Sequence, residues 1–255
     1  MIVIKYGGHA LPRDGAADPS LSLIAKEFKK GRKFVLVHGG GPQINSELAL
    51  HGIKPEMVNG LRKTTPQVLS VVQKVLSGDV LRNIVNQLIA LGVNAVGLSS
   101  GDGSLIRATQ LEGELGLVGE ISTVDPAILK ELIDSGYLPV ISPIGVSKDG
   151  QALNLNADLV AGEIGGSLVA EKVLFMTDVE GVFQDWPDKS SLIEEIKLSE
   201  LISIAESFSD GMAPKVKALI TAVEKGAQKA YVFDGRSAEN LNLAIHGEIG
   251  TRVSK

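Results

Sequence analysis

Six short apolar runs, at residues 2–6, 34–37, 95–98, 138–141, 173–176 and 230–233, recur along the chain. Stretches with a helical period lie between most of them. A run apolar at consecutive positions is buried from both sides, and its alternation with helices is the signature of a parallel sheet covered on both faces. The expected fold is α/β, a three-layer α/β/α sandwich with a mainly parallel central sheet.

Turn chemistry sets the element boundaries. Asp18-Pro19, Gly41-Pro42, Thr65-Pro66 and Asp125-Pro126 each put proline at the start of a helix, where its missing N–H costs nothing. Gly31, Gly52, Gly92, Gly136 and Gly226 each follow an amphipathic run and are expected to close a helix in the left-handed conformation. Asp149-Gly150, flanked by Val146-Ser147 and Ala152-Leu153, predicts a hairpin. Residues 184–192, rich in Asp, Ser and Lys, predict a mobile surface loop.

Composition removes several classes of function. With 255 residues, 44% hydrophobic and 22% charged, the chain can bury one substantial core. A net charge of -5 argues against nucleic acid and anionic membranes, which require a clustered basic surface. The absence of cysteine excludes disulfides, thiolate nucleophiles and cysteine metal sites, and fits a reducing compartment. No apolar stretch is long enough to span a bilayer, and the first residues enter an apolar run without a leader, so a cytoplasmic location is expected.

The chemistry-bearing segments sit at the ends of the predicted strands. Lys5-Tyr6-Gly7-Gly8 places a lysine and two glycines after the first strand. Such strand ends are where open parallel sheets bind ligands, although an exposed lysine before an ordinary turn is an equal reading. Val37-His38-Gly39-Gly40-Gly41-Pro42 is sharper: three glycines between a buried strand and a proline-started helix aim free amides and the helix dipole at one point, an anion site. His38 has the chemistry of a general base, but a histidine capping a strand is the commoner case, and it is not counted as catalytic.

Asn59-Gly60-Leu61-Arg62-Lys63-Thr64 puts Arg62 on a connector, where a guanidinium suits either a substrate carboxylate or solvent. In Asn154-Leu155-Asn156-Ala157-Asp158, Asn156 is an N-cap candidate and Asp158 falls in the first helical turn, which leaves Asn154 without a structural task. Thr177-Asp178-Val179-Glu180-Gly181-Val182 follows another strand, at a place for a nucleotide. In Asp210-Gly211-Met212-Ala213-Pro214-Lys215-Val216, Lys215 stands in the first turn of a helix, where the dipole disfavours a cation unless an anion compensates.

Together these segments resemble the amino acid kinase family over essentially the whole chain. Asn59-Gly60-Leu61-Arg62 and Asn154-Leu155-Asn156-Ala157-Asp158 point to the branch that acts on N-acetyl-L-glutamate. The resemblance implies ATP-dependent phosphorylation of the γ-carboxylate of that substrate, the second step of arginine biosynthesis, with magnesium carried by ATP. It assigns Lys5 and Lys215 to the transferring phosphoryl group, with Asp158 holding both lysines. Gly40, Gly41, Arg62, Asn154 and Asn156 would hold the acyl amino acid. Gly7 and Gly8, then Asp178, Val179, Glu180, Gly181, Val182 and Phe183, and finally Ser207, Phe208 and Ser209 would line the nucleotide. One domain, 1–255, is implied, with residues 1–170 approximating the acyl amino acid lobe and 171–255 the ATP lobe. His9 and Ala213-Pro214 depart from the family pattern. No helix precedes the first strand, and this implies a homodimer that arginine does not inhibit.

The chemistry agrees with the resemblance. A carboxylate is ionised at neutral pH and needs no general base; the difficulty is bringing an anion in line with a polyanion, which oriented cations and amides relieve. Three alternatives remain: a kinase for another carboxylate such as carrier-linked aminoadipate, a non-catalytic nucleotide sensor, and a serine hydrolase. The last rests on Gly97-Leu98-Ser99-Ser100-Gly101, which matches a nucleophile elbow in form, but the following residues read as a turn and strand instead of the required helix.

Overall fold

All six apolar runs become strands of one eight-stranded sheet in the computed structural model, which describes residues 1–7, 17–208 and 212–255. Gly8, His9, Ser209, Asp210 and Gly211 lie outside the described residues. Across the sheet the order is Glu195–Lys197, Thr251–Ser254, Lys229–Asp234, Lys172–Thr177, Ile2–Tyr6, Phe34–His38, Leu138–Ser142 and Ala95–Ser99. The last six are mutually parallel. Thr251–Ser254 runs antiparallel to Lys229–Asp234, and Glu195–Lys197 pairs parallel with it at the edge.

The two-residue period of the strands sorts their side chains into two cores. Ile2, Ile4 and Tyr6 join Leu36, Leu174 and Met176 beneath the helices Pro19–Lys29 and Leu81–Ala90. Val3 joins Val35, Val37, Val173 and Phe175 on the opposite face, beneath Ala157–Ser167 and Ala213–Glu224. Ile2, Val3, Ile4 and Tyr6 are wholly buried, and burying each aliphatic side chain contributes roughly 1.5–3 kcal/mol. Lys5, two residues beyond Val3, therefore faces the helix Ala157–Ser167.

Strand order creates the ligand crevice. From Ile2–Tyr6 the chain steps to Phe34–His38 on one flank and fills the sheet to its edge, then returns to lay Lys172–Thr177 on the other flank. Ile2–Tyr6 and Lys172–Thr177 are thus neighbours whose following strands lie on opposite flanks of the sheet, and open α/β sheets bind ligands at such a switch.

Most boundary signals hold. Asp18 and Thr65 cap helices through their side chains, and the five helix-closing glycines all take positive φ. Pro126 differs by one position: it is the N-cap of Ala127–Asp134, because the Asp125 side chain already accepts from the Ala127 N–H. The Asp149-Gly150 hairpin forms, with Ala152 opposite Val146, and belongs to a second sheet ordered Ala152–Asn154, Ile144–Val146, Ile106–Gln110 and Gly119–Val124. Residues 184–191 lie at the surface and are closed by the Gln184 N–H donating to the Ser191 carbonyl at 2.9 Å.

After Ser99 come a single 3-10 turn, Asp102–Ser104, and the strand Ile106–Gln110 instead of an α-helix, and the Ser99 hydroxyl bonds the hydroxyl of Ser77 at 2.9 Å. The geometry of a nucleophile elbow is absent.

Candidate functional site

The glycine triplet forms the floor of the first cavity. Phe34–His38 ends beside Ile2–Tyr6, the Gly39 N–H extends the ladder by donating to the Tyr6 carbonyl at 3.0 Å, and the helix Gly41–Leu50 starts at once. Its N-cap, Gly40, has no side chain to occupy the first amides, so the amino end of the helix opens on the cavity. A Cβ at Gly40 would lie 2.6 Å from the tip of Leu76, which would have to shift to admit it.

One wall is a hairpin that sequence reading did not identify. Met57–Val58 pairs antiparallel with Leu61–Arg62 through Asn59 and Gly60, at φ 49° and 77°. Both central residues require positive φ, the tight turn that Asn-Gly favours, so the signal was present in the dipeptide. Arg62 is thereby swung over the helix Gly41–Leu50, where its Nη2 donates to Asn45 Oδ1 at 2.6 Å. Its Nη1 is buried without a hydrogen-bond partner among the described residues, and burial lowers the guanidinium pKa from its ordinary value. A donor in that state suits an anionic acceptor.

The opposite wall comes from Asn154, Asn156 and Asp158. The Asn154 amide donates to Thr64 Oγ1 at 3.1 Å, and the Thr64 hydroxyl donates to the Arg62 carbonyl at 2.7 Å. Thr64, wholly buried and not among the predicted site residues, therefore links the two predicted substrate segments. Asn156 caps Ala157–Ser167 as its sequence position suggests, its Oδ1 accepting from Asp158 N at 2.8 Å and Leu159 N at 3.2 Å. Asp158 in the first turn meets Lys5 Nζ at 3.0 Å, and the two side chains are only 15% and 14% exposed. The cavity, about 320 Å³, falls among small-molecule sites, roughly 300–1,000 Å³.

A second cavity, about 630 Å³, lies outside the carboxyl end of Lys172–Thr177. Asp178, Val179, Phe183, Ser207, Phe208, Met212 and Lys215 line it, and Trp186 meets Phe183 edge to face at 5.3 Å. The two cavities adjoin: a Cβ at Gly60, in the first, would stand 3.8 Å from Pro214, the neighbour of Lys215 in the second.

The sequence pattern of the amino acid kinase family matches residues 1–234. The chain belongs to that family. An acetylglutamate kinase of Synechococcus sp. (strain RCC307) is 42% identical over 257 residues, 99% of this chain and 87% of that protein. Another from Archaeoglobus fulgidus is 40% identical over 267 residues, 99% of this chain and 92% of its own. Among solved structures, smu.665 from Streptococcus mutans UA159 is similar at a TM-score of 0.81 and 27% identity, over 99% of this chain and 98% of its own.

Within this amino acid kinase the predicted site residues divide. Lys5, Gly40, Gly41, Arg62, Asn154, Asn156 and Asp158 share the first cavity. Lys215 lines the second, so among the described residues no one cavity holds both lysines, and the ion pair of Asp158 is with Lys5. Four of the predicted nucleotide residues that the structure describes, Gly7, Glu180, Gly181 and Val182, do not line the second cavity. Glu180 is exposed and pairs with Lys189 at 3.3 Å; Gly181 is pressed against Thr251 and Leu192; Val182 is buried, its N–H donating to Thr251 Oγ1 at 2.7 Å. They build the wall behind Asp178 and Phe183. Gly7 packs against the Met176 carbonyl, which a Cβ would approach to 3.0 Å.

His38 is wholly buried, its pKa lowered to about 4 by loss of solvation, with Nδ1 2.9 Å from the Gly39 carbonyl. It is neutral at physiological pH and shielded from the cavity. Among the described residues no cluster of three or more acidic or histidine side chains could hold a metal ion, and no helix is long and apolar enough to cross a membrane.

Proposed function

We propose that this protein transfers the γ-phosphoryl group of ATP to the γ-carboxylate of N-acetyl-L-glutamate, giving N-acetyl-L-glutamyl 5-phosphate and ADP, the second step of arginine biosynthesis. The observation that carries the reading is the first cavity: a glycine turn, a lysine held by an aspartate, and an arginine with an unengaged nitrogen face one small volume. The likeness to acetylglutamate kinases along the whole chain supports the choice of acceptor.

In this reading the acceptor lies in the first cavity, its α-carboxylate toward Arg62 and its amide toward Asn154 and Asn156. ATP, with its magnesium, lies in the second, against Asp178, Val179, Phe183, Ser207 and Phe208. The γ-carboxylate oxygen forms a bond to the γ-phosphorus while the bond to the β–γ bridging oxygen breaks, and ADP leaves with that electron pair. Lys5 and the amides of Gly40 and Gly41 receive charge from one side, and Lys215 from the other. Among the described residues no side chain caps the helix Ala213–Glu224, and its amino end adds positive potential beside Lys215. A cytoplasmic homodimer belongs to the same reading and rests on the resemblance.

The test is a panel of acceptors, N-acetylglutamate, glutamate, aspartate and N-acetylaminoadipate, incubated with ATP and magnesium, with acyl phosphate trapped by hydroxylamine. N-acetylglutamate should give the highest kcat/KM. A preference for N-acetylaminoadipate would reassign the acceptor, and no hydroxamate with any of the four would end the proposal.

A further inference from the structure

His38 stands directly before the glycine turn, yet the proposed chemistry does not use it. A carbonyl oxygen can only accept, so the 2.9 Å contact with Gly39 requires Nδ1 to carry the proton and donate. Nε2 is then a bare lone pair, and it is buried with no partner among the described residues, as is the hydroxyl of Tyr6, the residue paired with His38 across the two strands. Among the described residues nothing else holds the ring in that tautomer, so the bond to Gly39 fixes it.

The consequence follows from the peptide group. The 39–40 peptide is trans, since Trp186-Pro187 is the cis bond among the described residues, and in a trans unit C=O and N–H point in opposite directions. The Gly39 N–H is already committed to the Tyr6 carbonyl. With its carbonyl drawn toward the buried imidazole, the same peptide must turn the Gly40 N–H the other way, toward the cavity that Gly39, Gly40 and Gly41 line.

We propose that His38 is a positioning residue: its Nδ1–H holds the Gly39 carbonyl inward and so presets the Gly40 N–H as a donor to the transferring phosphoryl group. Glycines on both sides leave this peptide free to rotate, and an oriented donor is worth more than one that must reorganise during the reaction. The part played by the phosphoryl group rests on the proposed kinase reading; the tautomer and the peptide orientation do not.

Two measurements test it. In long-range 1H–15N spectra of the imidazole at pH 7, Nδ1 should give the protonated, pyrrole-type signal and Nε2 the pyridine-type signal; the reverse assignment overturns the proposal whatever the enzyme does. In kinetics, His38→Asn keeps a donor at the position of Nδ1, whereas His38→Gln moves it and His38→Leu removes it. His38→Asn should retain at least half of kcat, and the other two should lose about tenfold or more with KM for N-acetylglutamate little changed. Equal kcat in the Asn and Gln variants at matched melting temperatures would overturn the positioning role. A wild-type protein without kinase activity would defeat the functional reading, and the imidazole spectrum would still decide this one.

Discussion

Lys5 and Arg62 carry opposite ends of the proposed reaction, and their surroundings predict different kinetic signatures. Lys5→Ala removes an oriented cation and should lower kcat on the order of a hundredfold. Comparable turnover in a hydroxamate assay would remove Lys5 from the mechanism. Arg62→Lys keeps the charge but loses the fork that lets one nitrogen bind Asn45 while another remains for substrate. KM for N-acetylglutamate should rise about tenfold with kcat nearly intact, and an unchanged KM would place the acceptor carboxylate elsewhere. His38 supplies a stability test. Its folded pKa, about 4, lies below the ordinary 6.5, so between those values the unfolded chain binds more protons. The contribution is complete above pH 6.5 and is lost as pH falls toward 4, on the order of 3 kcal/mol in all. Urea midpoints at pH 7 and pH 4.5 should therefore diverge more in the wild type than in His38→Asn, which has no such group; equal differences would mean that His38 is not held neutral.

Helix pairing sets the level at which the first turns carrying Asp158 and Lys215 begin. A Cβ on Gly162 would come within 2.8 Å of the Ala218 carbonyl oxygen, and one on Gly166 within 2.2 Å of Lys225 Cβ. Moving up one helix moves up the other, so Ala157–Ser167 and Ala213–Glu224 are parallel. One turn before Gly162, Asp158 stands level with the start of the second helix, where Lys215 lies. Gly162→Ala would push against backbone that cannot swing aside, at about 1–3 kcal/mol, a typical cost of overpacking. A lower melting temperature accompanied by a lower kcat is expected, because the two first turns would separate. An unchanged melting temperature would show that the helices pack less closely than the structure indicates. The Asn59-Gly60 hairpin shows the same economy: two residues with positive φ suffice to carry Arg62 to Asn45.

At the level of the whole molecule, the parallel sheet puts both cavities on one edge, and the switch between Ile2–Tyr6 and Lys172–Thr177 sets them side by side. The proposed division of ligands makes a prediction for hydrogen exchange. N-acetylglutamate alone should protect residues 39–45, 57–64 and 154–158, whereas a non-hydrolysable ATP analogue should protect residues 178–186 and 205–208. Protection of the first set by the nucleotide alone would exchange the two sites or merge them.

Much of this was readable along the chain. The six parallel strands, the burial from both faces of all but the half-buried edge strand Ala95–Ser99, the helix boundaries at proline and glycine, and the glycine turn before Gly41–Leu50 depend on local residues, because periodicity and turn chemistry act over a few positions. The strands Met57–Val58 and Gly119–Val124 were not evident, since their pairing partners and not their own composition make them strands. Sequence likewise put Glu180, Gly181 and Val182 with the nucleotide, but their backbone turns them against Thr251 and Lys189. The Lys5–Asp158 pair was offered by the resemblance and by no local pattern, and only the tertiary structure decided that Thr64 joins Arg62 to Asn154 and that Lys215 faces a second cavity. Those contacts join residues as much as 153 positions apart, and such distances are closed by strand order and helix packing, which no local pattern encodes.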